Sequence, residues 1–216
     1  VVGSLPSGAP GETVVCAFPS PSGGFLPVLV RRVIHAGSPP GSDHVAGQLR
    51  RAGLVRNHNV VQVVDVVQDG AGVAGVYAAF PGITLAVLLR EAAITATPIP
   101  GPLAVHLVTE ICKGLHAIHE ATDGNGTLLD LLHTDLTPDA VWISWEGDVR
   151  VMDLGLANPS VQARAMEGNE SRVWFISPEL ARGGAADRRS DVYSAAAILY
   201  RLVTGRPPYS GTTAVE

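Results

Sequence analysis

Lysine is almost missing from this chain. Of its 15 basic residues 14 are arginine, and the single lysine is Lys113, so chemistry that needs a compact ammonium has one place to find it. Cysteine is nearly as scarce. Cys16 and Cys112 lie far apart, form no metal or redox motif, and read as two reduced, buried thiols. No apolar run approaches the roughly 20 residues needed to cross a membrane. The opening VVGSLPSGAP lacks the charged start and apolar run of a signal peptide. A net charge of −5 leaves no basic footprint for nucleic acid. These absences give the expectation of a cytoplasmic protein with no membrane segment and no nucleic-acid partner. The first residue is Val, not Met, so the chain is expected to be a piece of a longer one.

What is present suffices for a folded core: 216 residues, 46% hydrophobic and only 16% charged. The first third reads as strands, with β-branched runs at 12–18 and 25–34 around the turn PSPSGG. A helix is expected over 43–55, from the apolar spacing of Val45, Leu49, Ala52 and Val55. A strand, a Gly-rich turn and a second strand follow over 60–80. After Pro81-Gly82 the pattern becomes helical, with helices at 84–93 and 103–121. The second of these puts Leu107, Ile111, Leu115 and Ile118 on one stripe. Short strands at 140–144 and 149–153 precede an irregular stretch, 154–178. A helix over 190–205 is then stopped by Gly205 and Pro207-Pro208. The expected fold is α+β, with a β-rich lobe (1–80) and a mainly helical lobe (81–216).

HTDLTPDA (133–140), DLG (153–155), SPE (177–179) and RRSDVYSAAAILYRLVTGRPPY (188–209) occur in this order over nearly the whole chain. The series resembles bacterial Ser/Thr protein kinases of the eukaryotic type. The resemblance implies a two-lobed kinase-like fold whose helical lobe lacks its last helices. It also implies that Asp135 stands at the catalytic base, Asp153 at a metal ligand, His133 in the core beneath the loop, and Asp191 as the anchor of the loop backbone. Glu179 stands where the family pairs a glutamate with an arginine from the helices that would follow.

Phosphoryl transfer rests on positioning and charge stabilisation, so each charged position matters. The phosphate-covering loop keeps Gly8 and Gly11 but gains Pro6 and Pro10, each of which removes an N–H donor. Arg31 stands in place of the strand-three lysine, and Gln48 in place of its glutamate partner. Thr134 and Thr137 replace an arginine and a lysine of the loop. Ala140 replaces a metal-binding asparagine, and a methyl group cannot ligate a hard cation. Asp139 is expected to point elsewhere. Leu29 and Trp142 take the roof and floor of the adenine slot, with Tyr77 at its back. Arg172 falls where it could pair with Asp135.

These losses lead to the expectation of a pseudokinase and not an enzyme: a regulatory or scaffolding module with ATP and Mg²⁺ binding weak or absent, and no metal site. The alternative is a residual or atypical nucleotide-dependent phosphotransferase using Asp135 and Asp153. The 190–205 helix is apolar nearly all round, which predicts a protein partner or self-association through the face built by helices 103–121 and 190–205.

Overall fold

The computed structural model describes residues 3–4, 13–19, 25–35, 42–69, 72–79, 81–154 and 170–209. Gly8 and Gly11 of the expected phosphate loop, and Gly155 of DLG, lie outside these residues. The chain opens with β1 (Gly3–Ser4), β2 (Thr13–Pro19) and β3 (Phe25–His35), followed by α1 (Ser42–Ala52), β4 (Val63–Asp69) and β5 (Gly72–Ala78). The five strands form one antiparallel sheet in the order β1-β2-β3-β5-β4. α1 lies against β4 and β5. It buries Val45, Ala46, Leu49 and Ala52 in the core that also holds Val63, Val73 and Tyr77. Each such side chain withdrawn from water contributes about 1.5–3 kcal/mol when large and aliphatic.

The second lobe begins with β6 (Gly82–Thr84), a three-residue strand that the sequence pattern does not announce. Its last residue caps the next helix, α2 (Leu85–Ile94), by accepting a hydrogen bond from the Val87 N–H at 3.3 Å. α3 (Gly101–His119) carries Pro102 in its first turn, where a missing N–H costs nothing. β7 (Val141–Ser144) and β8 (Val149–Val151) join β6 in a small antiparallel sheet. The short α4 (Pro178–Ala181) leads to α5 (Arg188–Thr204). α5 starts at a capping box built by Asp187 and Ser190 and ends at Gly205 with φ 67°.

Backbone hydrogen bonds around Val151 stitch the two lobes together. Val61 N–H donates to the Val151 carbonyl and Val151 N–H to the Asn59 carbonyl, each at 2.8 Å. The Asn59 amide also donates to Val149 O at 3.0 Å and to Glu110 on α3 at 2.8 Å.

Two expectations need correction here. The apolar stripe of α3 is not bare, because Leu107, Ile111, Leu115 and Ile118 are buried and α3 packs on α5, which buries Ala195, Ile198 and Leu202. The helices cover each other, and the exposed large apolar groups are few: Leu103 and Val105 on α3, and Val192, Tyr200 and Val203 on α5. The thiols are also not both buried. Cys112 is exposed and Cys16 is intermediate, because Cys112 falls on the solvent side of α3.

Candidate active site

The loop between α3 and β7 is held from below by one carboxylate. Asp191, fully buried near the start of α5, accepts from the His133 N–H at 2.9 Å and the Thr134 N–H at 2.7 Å. His119 Nε2 lies 2.7 Å from the same carboxylate. A carboxylate only accepts, so the imidazole donates there. Burial works to raise the Asp191 carboxyl. The His119 hydrogen bond, the nearby His133 ring and the two backbone N–H groups outweigh it and hold the carboxyl below the usual range. The anchored backbone is strained: Thr134 has φ 57°, a left-handed conformation costing about 1–2 kcal/mol for a residue with a Cβ. His133 is buried below the loop, its Nε2 donating to the Met152 carbonyl at 2.9 Å. Asp153, just beyond, has φ 66° as well. Two left-handed non-glycine residues thus flank the same cleft, the kind of strain that marks functional sites.

β3 and β5 deliver the upper wall. Arg31 pairs across the sheet with Gly75, is buried, and forms an ion pair with Asp153. It turns to that aspartate, while Gln48 on α1 keeps a buried Oε1 with no hydrogen-bond partner among the described residues. The Tyr77 ring lies over Gly75: a Cβ there would come within 2.7 Å of it, so only glycine leaves the ring its place. Burial, and then the nearby Asp153 carboxylate, push the Tyr77 phenol far above its ordinary range, with Arg31 opposing. Leu29 is buried on the same strand as Arg31. Trp142, half-buried on β7, lies against β6, where a Cβ at Gly82 would meet its Nε1 at 2.8 Å. Ala140 is buried at the end of a 3-10 turn, Pro138–Ala140.

The lower wall repeats the pattern. Arg172, buried in a second 3-10 turn, Glu170–Phe175, forms an ion pair with Asp135. Two aspartates, two arginines and Asp139 therefore make one charged cluster. Asp139 lies near enough for these charges to act on its carboxyl, and with Arg172 it lines a neighbouring cavity. Burial raises its carboxyl, Arg172 and Arg31 pull it back, and Asp153 and Asp135 add to the rise. Sequence reasoning missed His119. Its partner lies 72 residues away on another helix. Glu179, expected to want an arginine, accepts instead from the Ser190 hydroxyl, which holds its carboxyl below the usual range. Among the described residues no three His, Cys, Asp or Glu side chains converge as a ready metal site.

The protein kinase domain family model matches residues 42–216. The chain belongs to that family. It is 34% identical over 131 residues to the serine/threonine-protein kinase PknB of Mycobacterium leprae, an alignment covering 59% of this chain and 20% of PknB. To PknL of Mycobacterium tuberculosis it is 32% identical over 171 residues, 78% of this chain and 40% of PknL. The chain thus spans about a fifth of PknB and two fifths of PknL. The crystal structure of the Mycobacterium tuberculosis PknI kinase domain shares the fold, with a TM-score of 0.73 at 22% identity over 97% of this chain and 75% of that one. The kinase-like fold, a β-sheet lobe above a helical lobe, is therefore established. The expectation that the chain is no enzyme is overturned: its family and its relatives, named serine/threonine-protein kinases, point to an enzyme. No helix among the described residues is long and apolar enough to cross a membrane.

Proposed function

We propose that this domain is an atypical phosphotransferase of the protein kinase family, acting from a nucleotide onto a polypeptide hydroxyl, with a site that rests locked by its own arginines. The observation that carries the reading is the paired arrangement of the two aspartates. Asp135 and Asp153 both face the cleft, and each is held by a buried guanidinium. In this reading Asp135 accepts the proton of the attacking hydroxyl once Arg172 releases it. Arg31 supplies positive charge beside the phosphates, as a planar fork in place of a compact ammonium.

The donor set suits a hard cation at one point. Asp153 Oδ1 takes no part in the Arg31 pair and is buried beside the Tyr77 phenol, and Mg²⁺ is commonly held by one or two carboxylates plus substrate phosphates. Asp153 would hold it, with Asp139 as the neighbouring carboxylate, while Ala140 adds no ligand. Such a cation, when bound, neutralises charge on the transferred group. Leu29, Tyr77 and Trp142 narrow the adenine end, so nucleotide affinity is proposed to be weak.

The test is transfer of labelled γ-phosphate from ATP, with Mg²⁺ and with Mn²⁺, to the domain itself and to a mixed peptide pool. Asp135→Asn is expected to lower the rate by roughly 10²–10⁴-fold, the usual worth of a general base. Incorporation that is unchanged in Asp135→Asn sinks the proposal.

A second reading, that the domain also binds a protein partner or a second copy of itself, is favoured by the residual apolar stripe on α5. Val192 and Val203 are each 59% exposed, and Tyr200 lies beside them at 47%. Light scattering across a concentration series tests self-association. A monomer at every concentration would remove it.

A further inference from the structure

Beside the Arg172–Asp135 pair lies a cavity whose lining includes none of Leu29, Arg31, Tyr77, Trp142 or Asp153. Its volume is about 320 Å³, at the small end of ligand pockets, which run from about 300 to 1,000 Å³. Its polar wall is made by Arg90 on α2, Arg172 and Arg201, with Asp139 opposite, and its apolar wall by Trp174 and Phe175. Three cations line one small hollow in a chain whose net charge is −5. Each has a reason to be available. Arg90 is mostly exposed and makes only a loose contact, at 3.8 Å, with its neighbour Glu91. Arg201 lies over the Trp174 ring, 5.7 Å from its centroid, and gives one nitrogen, Nη1, to the Gly205 carbonyl at 2.9 Å. Arg172 is shared, since it lines this cavity and also pairs with Asp135.

From this geometry we infer that the cavity takes an acidic stretch of polypeptide, with carboxylates on Arg201, Arg90 and Arg172 and apolar side-chain surface on Trp174. The inference rests on the proposed phosphotransferase reading, and it adds the substrate class and a way of opening the site. A substrate carboxylate that engages Arg172 competes with Asp135 for the same guanidinium. Docking of an acidic segment therefore weakens the pair that keeps Asp135 occupied. Neutral or basic segments offer nothing to draw Arg172 away, and basic ones meet three like charges.

The test needs neither nucleotide nor turnover. A fluorescein-labelled Ser-containing peptide rich in Asp and Glu is titrated with the whole domain by anisotropy, alongside an Arg-rich peptide of equal length and unlabelled inorganic phosphate as competitor. The acidic peptide is expected to bind, to weaken as salt rises, and to lose about tenfold in affinity in Arg201→Ala, the size of one charge-assisted contact. Arg90→Ala, an exposed position that leaves packing alone, should weaken it in the same direction and serves if Arg201→Ala folds poorly. Equal binding of the Arg-rich peptide, no change in Arg90→Ala or a folded Arg201→Ala, or displacement by phosphate as efficient as by the peptide, overturns the inference. Peptide binding without phosphoryl transfer would leave this site standing and sink the proposed reaction. Transfer without a charge preference would do the reverse.

Discussion

Two kinds of aspartate site meet at the loop that carries Asp135, and they are built on opposite principles. At Asp191 the partners are backbone N–H groups and an imidazole, all donors that shape the loop. At Asp135 and Asp153 the partners are guanidinium groups. The first arrangement fixes geometry, because every donor belongs to the loop or to the helix that supports it. The second fixes charge and can be undone by anything that competes for a guanidinium. The scaffold of the kinase fold has thus been kept while the charges inside it have been redistributed. The clearest sign is Asp153, buried, ion-paired to Arg31 through one oxygen and set beside the buried Tyr77 phenol.

The sharpest way to break the comparison is to remove the anchor. Asp191→Ala deletes an acceptor that serves three donors, and hydrogen bonds to charged groups are worth about 1.5–3 kcal/mol each. A loss of about 4–5 kcal/mol is expected, near the limit for single substitutions. Urea denaturation followed by circular dichroism measures it. A loss below 1 kcal/mol would remove Asp191 as the support of the loop. Arg31→Met comes next. It leaves Asp153 buried and uncompensated, a situation that costs about 3–5 kcal/mol when one partner of a buried pair is deleted. The double variant Arg31→Met, Asp153→Asn should recover most of that loss, because no buried charge is left. Failure to recover would mean that Arg31 contributes through packing.

Acid separates the two sites further. Asp191 is held below its ordinary range, so its contribution is fully present above the unfolded-state value of about 3.9 and disappears as pH falls through the lower folded value. Asp139 is raised, so its charged form opposes folding at neutral pH and that penalty is relieved as pH falls. Asp139→Asn is therefore expected to give a small gain in stability at pH 7 that vanishes near pH 4. A destabilised Asp139→Asn at pH 7 would show that its charge is stabilising in place. Denaturant midpoints between pH 3 and 7 read both effects.

Much of this comparison could be read from residues alone, and the reason differs by site. The stripe Leu107, Ile111, Leu115, Ile118 predicts α3 because helix periodicity is local, and all four are buried. The Gly205 stop of α5 is equally local. Catalytic-loop identities are legible as a motif at 133–140 and 153. Partnerships are not. His119 reaches Asp191 and Arg31 reaches Asp153 across 72 and 122 residues, distances over which sequence carries no register. The burial of the α3 stripe by α5 and the exposure of Cys112 depend on tertiary packing in the same way. β6 escaped notice because three residues are too few for alternation to show, and its pairing with β7 supplies the missing signal.

The central claim is that arginines hold a phosphotransferase site at rest, and the pair easiest to release is Arg172 with Asp135. The direct measurement is γ-phosphate transfer by wild type, Arg172→Ala, and Arg172→Ala combined with Asp135→Asn, under identical Mg²⁺ and Mn²⁺ conditions. The account predicts a rise of about tenfold or more in Arg172→Ala, equivalent to relief of roughly 1.4 kcal/mol of the barrier, and its collapse in the double variant. A rate that is unchanged in Arg172→Ala, or that survives Asp135→Asn, would contradict it.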